Sequence, residues 1–238
     1  MIELKNVCFG YPNKAVFRRV SLRMSGHDIS FVLGLNGSGK STLFKLIMGR
    51  ISPTSGEILL NGNSVAKMNP KEIARNIAYL PQTRNIADIA VYDFVLHGRF
   101  PYLGYPRIYG NNDRRCVEKS LEELGILDLR NNKLKNLSGG ERQKVYLAMI
   151  LTQDTEIVLL DEPDVFLDIR AKHELYHIIK QLKQKGKSIF MITHDLYSTM
   201  RYADKIYFTE NEGIQTFNSG KAFENSDVYK AMQNGLNL

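Results

Sequence analysis

The chain has 238 residues, 43% hydrophobic and 24% charged, a composition that excludes a disordered or fibrous chain and suits a sizeable folded core. Its 32 Lys and Arg against 25 Asp and Glu give a formal charge of +7. These charges are scattered, with no RNP, zinc-finger or basic-helix pattern, so they read first as a solvated surface and second as proximity to an anionic membrane; no nucleic-acid partner is expected. No apolar run is long enough to span a bilayer, and residues 1–5 lack a secretory pattern. The cysteines, Cys8 and Cys116, form no metal-ligand cluster and point to a reducing compartment.

In chain order, residues 2–9, 20–24 and 56–60 read as strands of an antiparallel portion that carries Tyr11. Residues 29–33 read as a buried strand and 42–48 as a helix. Between them lies Gly34-Leu35-Asn36-Gly37-Ser38-Gly39-Lys40-Ser41, which fits the P-loop pattern without a gap. Glycines permit the backbone angles that turn successive N–H groups toward one point, and such a nest at a helix N-terminus cradles phosphate. Asn36, Gly37, Ser38 and Gly39 are therefore expected around a nucleoside triphosphate. Lys40 is expected at its β- and γ-phosphates, Thr42 at the α-phosphate and Ser41 on Mg²⁺. The competing reading is a plain glycine-rich turn.

The apolar segment 77–82 ends in Gln82, a candidate contact to Mg²⁺ or water. Residues 82–156 are largely helical in pattern. Residues 91–97 and 114–124 show helical spacing, and an aromatic, turn-rich loop, 100–106, lies between them. Leu137-Ser138-Gly139-Gly140-Glu141 then opens a helix over 140–151. Ser138 offers a hydroxyl, Gly139 and Gly140 offer closely approachable N–H groups, and the helix N-terminus makes the motif a second phosphate cradle. The same residues also read as an N-cap with an acid in the first turn.

Residues 157–160 form an apolar run into Asp161 and Glu162, as in a central parallel strand with its ligand at the C-terminal end. Asp161 suits Mg²⁺, and Glu162 is placed to polarise a water that attacks the γ-phosphate. The next strand, 188–192, leads to His194, expected in the same crevice as a γ-phosphate contact that positions Glu162. A helix over 169–185 lies between these strands. Residues 206–209 and 214–217 read as a hairpin.

With these elements in this order, the chain resembles the ATP-binding cassette (ABC) ATPases from residue 2 to about 218. Tyr11 matches the adenine-stacking aromatic, Gln82 the Q-loop, Leu137 to Glu141 the signature, Asp161 and Glu162 the Walker B acids, Val165 to Asp168 the D-loop, and His194 the switch histidine. The resemblance implies an α/β fold: a P-loop NTPase (RecA-like) core with a mainly parallel sheet, an antiparallel β portion and an inserted α-helical subdomain. The core and antiparallel portion are expected at 1–81 and 157–238, and the signature subdomain at 82–156. It further implies ATP and Mg²⁺ as cofactors and a head-to-tail dimer. In that dimer Ser138, Gly139, Gly140 and Glu141 of one copy complete the ATP site of the other.

The stretch Val91 to Tyr102 and Leu167-Asp168-Ile169 is similar to the iron–siderophore, haem and vitamin B12 importer branch. That branch implies integral membrane permease subunits as partners, a solute-binding protein indirectly, and a location at the cytoplasmic face of the cell membrane. A groove between core and helical lobe is expected to accept a permease helix; Tyr102, Leu103 and Tyr105 either line that contact or pack within the lobe. Another solute, export, a soluble nucleic-acid-directed ATPase and a non-catalytic nucleotide-gated scaffold are the alternative functions. The chain stops soon after the hairpin, so no regulatory domain is expected. Three positions depart from the family: Leu35, Glu141 and Asp164. Asp164 is expected to point away from Glu162, toward a basic group across the dimer.

Overall fold

The computed structural model describes residues 1–83 and 88–233. In chain order it contains strands β1 (Ile2–Tyr11), β2 (Lys14–Met24) and β3 (Ile29–Gly34), helix α1 (Lys40–Ile47), strands β4 (Ser55–Leu60) and β5 (Asn63–Ser64), helix α2 (Pro70–Asn76) and strand β6 (Ile77–Leu80). Helices α3 (Val91–Leu96), α4 (Asn111–Glu123) and α5 (Gly139–Gln153) follow. Then come β7 (Ile157–Asp161), α6 (Ile169–Gln184), β8 (Ser188–Ile192), α7 (Leu196–Tyr202), β9 (Lys205–Glu210), β10 (Gly213–Phe217), α8 (Gly220–Glu224) and α9 (Asp227–Gln233).

The strands form two sheets. One has four strands in the order β2-β1-β4-β5, with antiparallel pairs. The other has six in the order β10-β9-β3-β8-β7-β6, parallel throughout except for the β9–β10 hairpin. The strands β3, β7 and β8 are buried at every residue, as a parallel sheet covered on both faces requires. Alternation along them divides the core in two. Phe31, Leu33, Val158, Leu160, Ile189 and Met191 pack with residues of α5 and α6. Val32, Leu159, Phe190 and Ile192 point the other way, to α1 and the antiparallel sheet.

This is the expected α/β architecture, with β3, β6, β7 and β8 as the predicted parallel strands and β7 beside β8. Two differences have local causes. The first strand runs on to Tyr11, because Gly10 and Tyr11 pair with Ala15 and Lys14 across a tight turn. The predicted loop 100–106 begins as a 3-10 helix, His97–Tyr102. Gly98 there lies so close to α5 that an added Cβ would sit 2.5 Å from the Met149 carbonyl oxygen. Tertiary contact, rather than turn chemistry, shapes this segment.

Candidate functional site

The glycine loop joins β3 to α1 at the end of the parallel sheet. Gly34, Gly37 and Gly39 take φ values of 144°, 77° and 106°, a region glycine enters readily. At Gly39 a side chain is excluded twice over, since a Cβ would also lie 2.5 Å from Val16 Cγ1. The loop is pinned from outside by residues that sequence reasoning missed. Lys14 Nζ donates to the Gly37 carbonyl at 2.8 Å, and Ser38 and Thr209 share a hydroxyl hydrogen bond of 2.6 Å. Lys14 carried a weak signal, lying in the hairpin beside Tyr11; Thr209 carried none. Tyr11 stands at the same loop, its hydroxyl 3.4 Å from that of Thr42, with its ring edge-on to Phe9 and half exposed.

Lys40 is buried, and its ammonium donates to the Gly34 and Leu35 carbonyls at 2.9 and 3.0 Å. Burial lowers its pKa, while the charges of Glu162 and Asp161 act to raise it. The ammonium is thus turned back onto the loop's own carbonyls, where an anion with better acceptor oxygens can replace them.

Asp161 ends β7. Its Oδ1 lies 3.5 Å from the Ser41 hydroxyl, and its Oδ2 accepts from Tyr79 at 3.2 Å. Burial raises the Asp161 pKa; the hydrogen bonds from Tyr79 and Ser41 oppose it. The Tyr79 phenol is itself pushed up to about 12 by burial and the neighbouring Asp161 charge.

Glu162 then leaves the strand in a left-handed conformation, φ 49°, uncommon for a residue with a side chain. Its N–H still bonds the Ile192 carbonyl at 3.0 Å, extending the β7–β8 ladder by one residue. This turn places its carboxylate between two expected partners. Gln82 Nε2 donates to Oε2 at 2.7 Å, and His194 Nε2 lies 3.2 Å from Oε1. The structure thus brings Gln82, Glu162 and His194 together beside Asp161, Ser41 and Lys40.

Ser138, Gly139, Gly140 and Glu141 are elsewhere. No hydrogen bond or ion pair among the described residues connects them to that cluster. They cap α5: Glu141 N–H bonds Ser138 Oγ at 3.3 Å, and Glu141 Oε2 accepts from the Ser138 N–H and hydroxyl at 2.9 and 2.6 Å. The side-chain and backbone bonds from Ser138 hold the Glu141 carboxyl below its usual range. Ser138 and Gly139 are exposed, and a Cβ on Gly139 would meet nothing within 4 Å. Nothing inside the chain requires glycine there; close approach by another molecule would. Past Pro163, Val165, Phe166 and Ile169 are exposed at 37%, 101% and 89%.

Asp164 corrects the expectation of a basic partner across a dimer. It is 3% exposed, with Oδ2 accepting from Thr193 at 2.6 Å and Tyr176 at 3.3 Å. Burial, not repulsion by Glu162, raises its pKa.

A cavity of about 830 Å³ is lined by residues between 46 and 79, in the core and antiparallel portion, together with Gln153 of the helical lobe. Its wall includes Arg50, Ile51, Met68, Ala74, Tyr79 and Gln153. Of the aromatic segment, Leu103 is buried and its carbonyl accepts from Lys71 of α2 at 2.8 Å, and Tyr102 donates to the Gln153 carbonyl at 2.8 Å; Tyr105 is 100% exposed.

The ABC transporter family matches residues 17–165. The chain belongs to this family. Among its ABC relatives, the achromobactin transport ATP-binding protein CbrD of Dickeya dadantii (strain 3937) is 35% identical over 88% of this chain and 79% of its own length. The iron(3+)-hydroxamate import ATP-binding protein FhuC of Bacillus subtilis (strain 168) is 36% identical over 85% and 76%. The fold is also that of MJ1267, an ATP-binding cassette of an ABC transporter, with TM-score 0.87 and 23% identity over 100% of this chain and 99% of that one.

As an ABC chain it has a donor set that fits ATP with Mg²⁺. Among the described residues no group of three or more His, Cys, Asp or Glu could hold a metal by itself. A hydroxyl and one carboxylate suit Mg²⁺, which binds through one or two carboxylates together with substrate phosphates. No helix of the described residues is long and apolar enough to cross a membrane.

Proposed function

We propose that this chain is the ATP-hydrolysing subunit of an importer that takes up an iron–siderophore, haem or corrinoid. The observation that carries the hydrolytic reading is the clamp on Glu162, held between Gln82 and His194 at 2.7 and 3.2 Å. A purely nucleotide-gated scaffold has no use for an oriented carboxylate at that point. The relatives named for achromobactin transport and iron(3+)-hydroxamate import support the solute class.

In this reading Tyr11 stacks on adenine, and the N–H groups of Asn36, Gly37, Ser38 and Gly39 cradle the phosphates. Lys40 leaves the Gly34 and Leu35 carbonyls for the β- and γ-phosphates, and Thr42 takes the α-phosphate. Ser41 and Asp161, with Gln82, would hold Mg²⁺, which supplies charge neutralisation at the phosphates when bound. Glu162 polarises the attacking water, and His194 fixes Glu162 and contacts the γ-phosphate. Catalysis rests on positioning and electrostatics.

A second copy, docked head-to-tail, brings Ser138, Gly139, Gly140 and Glu141 to each site. The exposed Val165, Phe166 and Ile169 suit burial against that copy. Residues 82–156 act as the lobe that carries this signature, against a core formed by 1–81 and 157–238. The cavity lined by residues between 46 and 79 and by Gln153 is the seat of a permease helix at the cytoplasmic face of the membrane, with a solute-binding protein on the far side. Glu162→Gln tests the scheme. With Mg-ATP it is expected to elute as a dimer with little phosphate release. A strictly monomeric variant at high concentration and saturating Mg-ATP sinks it.

A further inference from the structure

We propose that Tyr79 is a positioning residue that joins the groove to the Mg²⁺ site: its hydroxyl sets the orientation of the Asp161 carboxylate while its ring forms part of the groove wall. The inference rests on the nucleotide-site reading above and adds a residue to it.

The register of the sheet brings the two residues together. Tyr79 pairs with Leu159 across the parallel β6–β7 ladder, and Asp161 lies two residues further along β7. Residues two apart share a face and are separated by about 6.6 Å along a strand. A phenol is long enough to cover that offset, and the hydroxyl reaches Asp161 Oδ2 at 3.2 Å. Phe keeps the ring but lacks the hydroxyl that makes this contact.

The ring is held independently of the hydroxyl. Phe44 of α1 meets it edge-on at 6.4 Å, and the Arg50 guanidinium lies 4.9 Å from its centroid. Arg50 and Tyr79 both line the cavity of about 830 Å³. One side chain therefore belongs to the groove wall, with Arg50 over its ring, and has its polar tip on the candidate metal ligand.

The consequence for Asp161 concerns which oxygen is available. With Oδ2 bonded to Tyr79, Oδ1 is the oxygen turned to Ser41 Oγ, 3.5 Å away. That oxygen and that hydroxyl form the donor pair for the cation. A hydrogen bond from the outer shell that fixes a ligating carboxylate in this way typically changes metal affinity by about 10–100-fold when removed. A permease helix pressing on Arg50 and the Tyr79 ring shifts the hydroxyl, and with it the carboxylate. Linkage requires the reverse as well: a cation at Asp161 must be felt at the groove wall.

The test uses the whole chain, a non-hydrolysable ATP analogue, and Mn²⁺ as a paramagnetic probe for the Mg²⁺ position. Tyr79→Phe is expected to weaken Mn²⁺ binding by about tenfold or more. Analogue affinity in EDTA is expected to stay at the wild-type value, because the ring and its Phe44 contact remain; the unfolding temperature is expected to fall by a few degrees, because the buried Asp161 Oδ2 loses its donor. The groove is read separately. The chain contains no Trp, so Met68→Trp, in the groove wall, is a single fluorescent reporter. Its emission is expected to shift when Mg²⁺ is added to the analogue-bound protein, and to lose that shift in the Tyr79→Phe background. Equal Mn²⁺ affinity in wild type and Tyr79→Phe overturns the positioning role. A reporter shift that survives Tyr79→Phe overturns the link to the groove. Wild type that binds no Mn²⁺ with the analogue overturns the nucleotide-site reading and this inference with it.

Discussion

Replacing Asp164 by Asn is expected to stabilise the protein as pH rises. Asp164 is buried, with two hydroxyl donors on Oδ2 and no hydrogen-bond partner for Oδ1 among the described residues. Burial raises its pKa; the Thr193 bond, its own N–H and the Lys172 charge oppose that, and Asp195 adds to it. A folded-state pKa above the unfolded value means that the native state holds this proton more tightly than the unfolded chain. Stability from this group is therefore greatest below the ordinary Asp value and falls as pH rises through the folded pKa.

The size follows from the contacts. Hydrogen bonds to a charged acceptor contribute about 1.5–3 kcal/mol each, against a desolvation cost of several kcal/mol for a buried ion. These roughly cancel, leaving the bare Oδ1 as a deficit of about 1–3 kcal/mol. Asp164→Asn retains a carbonyl oxygen for Thr193 and Tyr176 and removes the charge, at the cost of an amide N–H₂ in the place of Oδ1. The net expectation is a gain of about 1–2 kcal/mol where wild-type Asp164 is ionised, shrinking to nothing or reversing where it is protonated. Urea unfolding of both proteins from about pH 4 to about pH 8 measures the difference and removes the contribution of other groups. A difference independent of pH, or one that grows on acidification, refutes the reasoning. Since the carboxyl is engaged by Thr193 and Tyr176 and Glu162 is not among the charges that shift it, the pH profile of ATP hydrolysis is expected to be unchanged by Asp164→Thr.

Four further substitutions test the loop and the lobe. Gly39→Ala places a Cβ 2.5 Å from Val16 Cγ1 at φ 106°; it is expected to cost about 1–3 kcal/mol and abolish nucleotide binding, read by calorimetry. Gly37→Ala meets only the flexible Lys14 Nζ, at 3.2 Å, so the milder loss belongs there. Leu103→Ala is expected to cost about 2–5 kcal/mol in thermal unfolding. Tyr105→Ser, at a fully exposed residue, is expected to stay within about 0.5 kcal/mol of wild type.

The parts of the fold and site that were legible in the sequence are those fixed over short chain distances. The continuous apolar runs of β3, β7 and β8 announce strands buried on both faces, and the glycine loop dictates its own backbone angles. Helix α2 also announced itself and was overlooked: Asn69 and Glu72 form a reciprocal capping box with Pro70 at the first turn. What could not be read is set by register. Tyr79 is an ordinary strand aromatic until β6 pairs with β7 and brings its hydroxyl to Asp161. Asp164 is a loop acid until α6 supplies Tyr176 and the residue after β8, Thr193, comes alongside. Glu162 combines both kinds of constraint. Its identity and place after an apolar run suggest its role, yet its left-handed φ of 49° is a conformation that a non-glycine residue holds only when its surroundings over-determine it. The Ile192 carbonyl, Gln82 and His194 supply that determination from three separate chain segments. The strain is thus local to the residue proposed to polarise water, and it is maintained by the elements that carry the other two expected catalytic groups.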